Sequence, residues 1–380
     1  MEPMNCTADV RPDQCEIWVP TQNQTGTLAE VITITGLKPE QVKVHTTYLG
    51  GGFGRRFERD FVEEAVLLSK AAGKPVKVIW TREEDMQNDF YRPMNATRIR
   101  AALDGSGQIT AWSQTIVCPS IFARVFPQSM KNGIDNAAVE GVENMEYAIP
   151  NLRVEYVRYD TPVPVGFWRS VGSSHNAFTV ESFVDELAAA AKKDPLEFRL
   201  SLLKDHPRPR RVLEVAAEKA GWGKPLADGH TRGIAYHLSF GSYVAEVAEV
   251  SVDRKSGGIT VHKVFCAVDC GSIVNPAIVT DQMMSGIMMG LSAALKEKIE
   301  VSDGGIRSAN FGDYGLLRMS EAPDVDVYIV KSGAALGGIG EPGLPPIIPA
   351  VGNAVFAATG SRVRTLPMKP ATVLAAMKRA

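Results

Sequence analysis

One carboxylate stands apart in this sequence. Across the thirty residues from Ser332 to Ser361, Glu341 is the only one with an ionisable side chain. It follows Gly337-Gly338-Ile339-Gly340 and precedes Pro342, which biases its backbone toward an extended conformation. A carboxylate in so apolar a run is expected to be desolvated, raising its proton affinity into the range of a general base. The bland alternative is a carboxylate that caps the next helix or pairs with a distant arginine. A second candidate is Leu49-Gly-Gly-Gly-Phe-Gly-Arg-Arg56. A strand, a glycine loop and a helix start would make an anion cradle, with Arg55 and Arg56 placed to meet phosphate. It could equally be a tight turn, or a dinucleotide loop, although its spacing is not GxGxxG. The third is Thr161–Ser174, where Arg169 is the only charged residue, either a structural cation or a ligand clamp.

Other reactive residue types carry less. Cys6, Cys15, Cys118, Cys266 and Cys270 are too sparse for a disulfide framework and form no CxxC pair, which argues against a zinc site or a self-contained iron–sulfur domain. Cys266 and Cys270 could share a strand face, but two thiols make a weak metal site. The six histidines show no metal-ligand spacing. Met283, Met284, Met288 and Met289 read as core packing of a helix. Glu58, Arg59, Asp60, Glu63 and Glu64 read as the solvated side of another.

The elements that must position these loops are mixed. Residues 42–48 and 76–80 read as strands on either side of a helix with Phe61, Ala65 and Leu68 on one face. Thr81–Asp85 looks like a capped helix start, and Asp104-Gly-Ser-Gly107 like a hairpin turn. A helix spans 181–193, and Asp194-Pro-Leu-Glu197 opens the next with Asp as N-cap and Glu at the capping-box position. Strands at Val244–Val252 and Ile259–Val268 flank a second hairpin turn at 254–258. A helix covers 282–298, a strand 325–330 and a helix about 350–360. The pattern predicts an α+β fold, with a soft domain boundary inside the break at 221–233. Lys+Arg 41 against Asp+Glu 43 leaves a net charge of −2, so no bulk electrostatic footprint points to nucleic acid. The longest uncharged stretches are broken by Gly, Pro and Asn, which predicts no transmembrane segment. The amino terminus has no signal-peptide pattern and enters strand-like alternation almost at once.

Taken in order, the three loops resemble the molybdenum-binding large subunit of the xanthine oxidase/aldehyde oxidase family, most of all isoquinoline 1-oxidoreductase-type β subunits. The matching runs are MEPMN at 1–5, GGGFGRR at 50–56, KPVKVIWTREEDM at 74–86, YRPMN at 91–95, FWRSVGSSHNAF at 167–178, ESFVDELA at 181–188, DPLEFRLSLL at 194–203, VDCGSIVNPAIV at 268–279 and GGIGEPGLPP at 337–346. They extend over essentially the whole chain. The resemblance implies two mixed α/β molybdopterin-binding domains, at 1–228 and 229–380. It implies a bacterial molybdenum hydroxylase that hydroxylates an N-heterocycle or oxidises an aldehyde with water-derived oxygen. Glu341 would be the general base on a metal-bound hydroxyl. Gly51, Gly52, Phe53, Gly54, Arg169, Ser170, Val171, Gly172 and Gly340 would line a molybdenum–molybdopterin cofactor in its cytosine dinucleotide form. The pterin dithiolene, and no protein side chain, would hold the metal.

The same resemblance implies a separate small subunit carrying [2Fe–2S] clusters, with a cytochrome c as one candidate acceptor. Phe57 stands where xanthine-oxidising relatives have a substrate-binding glutamate, and Val171 where they have a ring-stacking phenylalanine. These two residues would line an apolar substrate pocket unsuited to purines. The family's Gly-Gln-Gly-type loop is missing from this chain. The expectation is therefore a carboxy-terminal portion of a longer subunit, whose compartment, bacterial cytoplasm or periplasm, would be set by a signal upstream. The rival readings are a dinucleotide-binding module and a non-catalytic domain that docks an iron–sulfur partner.

Overall fold

The computed structural model describes residues 2–379. The chain divides into two units: one runs through Pro93 and adds Thr161–Arg169 and Ile299–Tyr314, the other takes Met94–Asp160, Ser170–Lys298 and the chain from Gly315 onward. In the first unit, alternating burial along β1 (Asn5–Val10) and β2 (Cys15–Val19) builds one face of a four-stranded sheet. With β3 (Val42–Thr46) and β4 (Val76–Ile79) the order is β3-β2-β1-β4, antiparallel except for β2 with β3. Helices Gln24–Thr35 and Asp60–Ala72 contribute to its core, where Ile17, Val31, Phe61, Val62 and Val66 are fully buried. The second helix ends at Gly73 in the left-handed conformation. The capping box expected at Thr81 forms: its hydroxyl accepts from Glu84 N–H while Glu84 accepts from Thr81 N–H at 2.9 Å. Segment 161–169 joins this unit through Tyr91 N–H to the Pro164 carbonyl and Gly166 N–H to the Tyr91 carbonyl.

The second unit holds two sheets. β5 (Ala96–Leu103) and β6 (Ile109–Cys118) form the hairpin expected around 104–107, and β7 (Leu152–Arg158) adds parallel to β6. The other sheet has β8 (His230–Ser239), β9 (Ser242–Val252) and β10 (Ile259–Asp269) as an antiparallel run, closed by strand Asp324–Ile329 parallel to β10. The start of β8 was hidden inside the region that reads as a break in the sequence, because His230-Thr-Arg-Gly233 looks like a loop until pairing with β9 claims it. Between the sheets lies one core. Trp112 and Ile116 of β6, Val180 and Val184 of helix Ser173–Ala190, Val212 and Leu213 of helix Pro207–Ala220, and Ile234 and Val247 all belong to it.

A buried ionic network ties these elements together. Arg199 of helix Pro195–Leu202 is fully buried and donates from Nε to Glu181 Oε2 at 2.8 Å and from Nη2 to the Glu181 carbonyl at 2.9 Å. Glu181 also accepts from Tyr147 OH at 2.6 Å and Tyr236 N–H at 3.1 Å, and Arg362 pairs with Asp185 at 2.6 Å. Asp194 is the N-cap expected, accepting from Leu196 and Glu197 N–H.

Helix Pro276–Leu295 differs from expectation in its start: Asn275 caps it, well before the methionine pattern becomes visible. By length and composition it is apolar enough to cross a membrane, and half of its apolar window is buried inside the chain. Met283, Ile287 and Leu291 are core residues, whereas Met284 is exposed. The residues expected on the solvated side of the 60–72 helix are not all there. Glu58 is buried ahead of it, and Asp60 binds Arg55 at 2.7 Å.

On β9, Glu246 is fully buried between Ala235 and Cys266, its partners on the neighbouring strands. Its carboxyl oxygens lack a conventional hydrogen-bond partner, and burial pushes the group well above its ordinary 4.5, which favours the neutral acid.

Two outcomes are expected. Arg199→Met, which strands Glu181 as an uncompensated buried carboxylate, should lower unfolding free energy by about 3–5 kcal/mol in a denaturant titration. For Glu246 the unfolded chain ionises at lower pH than the fold, so wild-type stability is intact below the ordinary value and falls as pH rises above it. Relative to Glu246→Gln, it should fall as pH rises above the ordinary carboxyl range. Parallel stability curves would contradict a buried neutral acid.

Candidate active site

In the first unit the glycine loop is packed against segment 161–169. Gly54 has φ 104°, and a Cβ there would overlap the Phe167 carbonyl, so both its conformation and its neighbour demand glycine. Phe53, also left-handed at φ 50°, accepts Arg169 N–H on its carbonyl at 3.0 Å. Its ring lies 5.8 Å from the buried Arg169 guanidinium. Gln22 Oε1 accepts Gly54 N–H at 3.0 Å and lies 2.5 Å from where a Cβ on Gly52 would stand. Phe57 meets Phe167 edge-to-face at 5.1 Å. The structure therefore brings Gly51–Gly54, Phe57 and Arg169 together.

The phosphate cradle expected here is not formed. Three residues of 3-10 helix, Arg55–Phe57, follow the glycines, and the α-helix starts only at Asp60 with an acidic first turn. Arg56 is fully buried and directs its guanidinium to the carbonyls of Gly51, Pro20, Glu2 and Pro3 and to the Glu2 carboxylate. Arg55 pairs with Asp60 and Asp89. Both arginines hold the loop in shape, which removes the basis of the dinucleotide reading.

The second unit contains the other half of the candidate residues. Ser170 and Val171 are consecutive left-handed residues, at φ 73° and 43°. For a β-branched valine this conformation costs about 1–3 kcal/mol. The turn aims Ser170 N–H at Glu341 Oε1, 2.8 Å away, and Ser170 Oγ at the Glu341 carbonyl, 2.9 Å away. Glu341 Oε2 has no hydrogen-bond partner among the described residues. Gly172 then lies so close to Ala137 that a Cβ would overlap its carbonyl. Gly340 is the opposite case, with no atom within 4 Å of where its Cβ would stand.

Glu341 departs from expectation in one respect: it is half-exposed, while Pro342–Ala350 behind it is buried. It does not cap helix Ile347–Thr359 and, among the described residues, forms no ion pair. The shifted carboxyl of this neighbourhood is Glu140, which no sequence pattern singled out. Burial and the nearby Glu341 charge push it up to about 7, against backbone N–H donation from Ser173 and Gly172. Glu140 sits in an ordinary-looking run, Asn136-Ala-Ala-Val-Glu-Gly141, with no spacing signature. His237 was missed for the same reason; burial takes it down to about 4, so it is a neutral ring. No cluster of three or more His, Cys, Asp or Glu able to hold a metal occurs among the described residues.

Comparison with known proteins places this geometry in a family. The molybdopterin cofactor-binding domain model matches residues 1–202, and a second molybdopterin cofactor-binding domain model matches residues 185–323. The chain is 37% identical to the isoquinoline 1-oxidoreductase subunit beta of Brevundimonas diminuta, over all of this chain and 49% of that protein. It is 33% identical to the membrane-bound aldehyde dehydrogenase [pyrroloquinoline-quinone] of Gluconacetobacter polyoxogenes, over 98% of this chain and 52% of that protein. The chain thus spans about half the length of these curated relatives. Its fold is that of quinoline 2-oxidoreductase from Pseudomonas putida 86, with a TM-score of 0.86 at 15% identity, covering the whole of this chain and 74% of that one. With a family model covering more than half of its residues, the chain belongs to the molybdopterin cofactor-binding domain family.

Proposed function

We propose that this chain is part of a molybdenum hydroxylase that hydroxylates an N-heterocycle or oxidises an aldehyde, with Glu341 as its general base. The carrying observation is the way Glu341 is held. Ser170 fixes one carboxylate oxygen through its backbone N–H and the main chain through its hydroxyl, leaving Oε2 free to accept a proton. A base needs that combination of fixed direction and one open lone-pair site.

The residues present fit a pterin cofactor. Gly340 has open space where a side chain would be, beside a backbone already fixed at Glu341. On this reading Gly51, Gly52, Phe53, Gly54, Arg169, Ser170, Val171, Gly172 and Gly340 are the cofactor-binding residues. When bound, the molybdenum–molybdopterin group would supply the two-electron redox centre and the water-derived oxygen. This chain's part is to orient the reacting carbon and to take one proton onto Glu341 Oε2. Phe57 and Val171, both apolar, would favour a flat or apolar substrate over a purine. A cytosine dinucleotide form of the cofactor, a small [2Fe–2S] subunit to receive electrons and a cytochrome c beyond it complete the reading.

In the enzyme assembled with its remaining parts, Glu341→Gln should lower turnover by at least ~10²–10⁴-fold with molybdenum content unchanged. Gly340→Ala should leave the thermal unfolding of the cofactor-free chain unmoved, because nothing in the chain opposes the added methyl, and should reduce molybdenum content. Near-normal turnover in the first variant would remove Glu341 from its role. Full metal loading in the second would remove Gly340 from the cofactor wall.

A further inference from the structure

Three tyrosines of the second unit stand ring to ring from the core outward. Tyr147 and Tyr236 meet edge-to-face with ring centroids 5.9 Å apart, and Tyr236 stacks on Tyr243 at 6.4 Å, 7° from parallel. The β8–β9 hairpin sets the second contact. Tyr236 is paired with Ala245 and Tyr243 with Leu238, so the two rings are diagonal neighbours across the strands. Tyr147 and Tyr236 are buried, and Tyr243 is half-buried. Every hydroxyl in the row donates to a carboxylate. Tyr147 OH reaches Glu181 Oε1 at 2.6 Å, while Tyr236 OH and Tyr243 OH take the two oxygens of Glu146, Oε2 at 3.1 Å and Oε1 at 2.9 Å. The Arg208 guanidinium lies 4.4 Å from the centroid of the outer ring. Asp269 holds that arginine through both carboxylate oxygens, at 2.8 and 2.9 Å, and offsets its charge. None of these residues has a part in the cofactor or base roles given above.

We infer that Tyr147, Tyr236 and Tyr243 form a redox-active row that passes a one-electron oxidising equivalent between the core and the surface, with Glu181 and Glu146 taking and returning the phenol protons. A buried phenol is satisfied by any acceptor, a main-chain carbonyl included; a carboxylate adds the capacity to take the proton. Burial and the adjoining carboxylates push these phenols up, Tyr243 to about 12, so each proton stays in place until an electron leaves. A phenol that loses an electron becomes a strong acid, and its proton crosses the hydrogen bond already present. When a peroxide-derived radical takes an electron from Tyr147, the radical is reduced and the phenol proton passes to Glu181. An electron from Tyr236 then refills Tyr147, Glu181 returns its proton there, and the Tyr236 proton moves to Glu146 Oε2. In the last transfer the electron comes from Tyr243, whose proton moves to Glu146 Oε1 as Tyr236 recovers its own from Oε2. One carboxylate thus serves both rings with no net change in its proton count. At half-buried Tyr243 a thiol in solvent supplies the closing electron, its own proton goes to water, and the Glu146 proton restores the phenol. Neither the Glu341 base nor a bound cofactor enters these steps.

The test runs the row inward on the intact chain. A flash-generated ruthenium(III) tris-bipyridine oxidant in solution takes an electron at the surface, and aminotyrosine, more easily oxidised than tyrosine, replaces Tyr147 as a trap. Electron paramagnetic resonance should then show an aminotyrosyl radical. Tyr236→Phe and Tyr243→Phe keep a ring in the row but remove the oxidisable phenol, and each should abolish the trapped signal while thermal unfolding shows the fold intact. Glu146→Gln keeps an acceptor for a hydroxyl, loses the proton site and should lower the trapped yield. Tyr48→Phe and Tyr159→Phe, at exposed tyrosines outside the row, should leave it unchanged. A trapped radical that survives Tyr236→Phe or Tyr243→Phe, or a folded trap variant that yields none, would overturn the row. If aminotyrosine at position 147 unfolds the chain, the same trap in place of Tyr236 decides the matter: its radical should vanish in Tyr243→Phe, and its persistence there would overturn the row equally.

Discussion

The second unit depends on one buried arginine. Arg199 satisfies both the carboxylate and the main-chain carbonyl of Glu181, so helix 195–202 is bolted to the middle of helix 173–190. The same carboxylate receives Tyr147 and the backbone of Tyr236, so one anion joins two helices, strand β8 and the loop ahead of β7. Asp185, one turn further on, faces Arg199 and Arg362. The cost of desolvating these charges is offset by the hydrogen bonds they make, and such a network tolerates little displacement of its members. Its consequence is positional: the 173–190 helix has one setting, and so do the backbone donors at its start.

Those donors are where structure turns into chemistry. A helix beginning at Ser173 presents unsatisfied N–H groups, which attract negative charge. The left-handed pair Ser170–Val171 then reverses the chain just ahead, so that one more N–H points at Glu341 rather than continuing the helix. A valine in that conformation persists only if its surroundings hold it there. Ser174 Oγ bonds the Val171 carbonyl at 2.7 Å, and the Gly172–Ala137 contact leaves the next residue no room to move. Strain at Val171 and direction at Glu341 are two sides of the same turn.

Much of this was legible from residue order. Alternation and turn residues located both hairpins, Asp194 and Thr81 announced their helices, and the isolation of Glu341 singled out a residue that the fold holds by a specific contact 171 positions away. What escaped notice was set by pairing or by distance in sequence. β8 begins with polar residues and becomes a strand only because β9 supplies its partner. Arg55 and Arg56 follow glycines as phosphate-binding arginines do, yet their partners Asp89 and Glu2 lie too far along the chain for spacing to suggest them. Glu140 is an ordinary surface-type residue until Gly172 and Glu341 are folded against it. Local pattern reports what a residue can do; its protonation depends on neighbours that only the fold assembles.

The glycines show the same distinction from the other side. Gly54 and Gly172 are explained inside the chain, because a methyl group at either would overlap a backbone carbonyl. Gly340 is not, since its missing side chain faces nothing. Glycine is entropically costly in an ordered segment, and neither packing nor a positive φ requires one at position 340. Gly340 immediately precedes the carboxylate held by Ser170, and on the proposed reading the space where a side chain would stand is left for the group that binds there. Gly172 and Gly340 flank the same hydrogen-bonded pair, Ser170 and Glu341, from opposite strands of chain. At the first the protein's own backbone fills the space; at the second the proposed reading gives that space to a ligand.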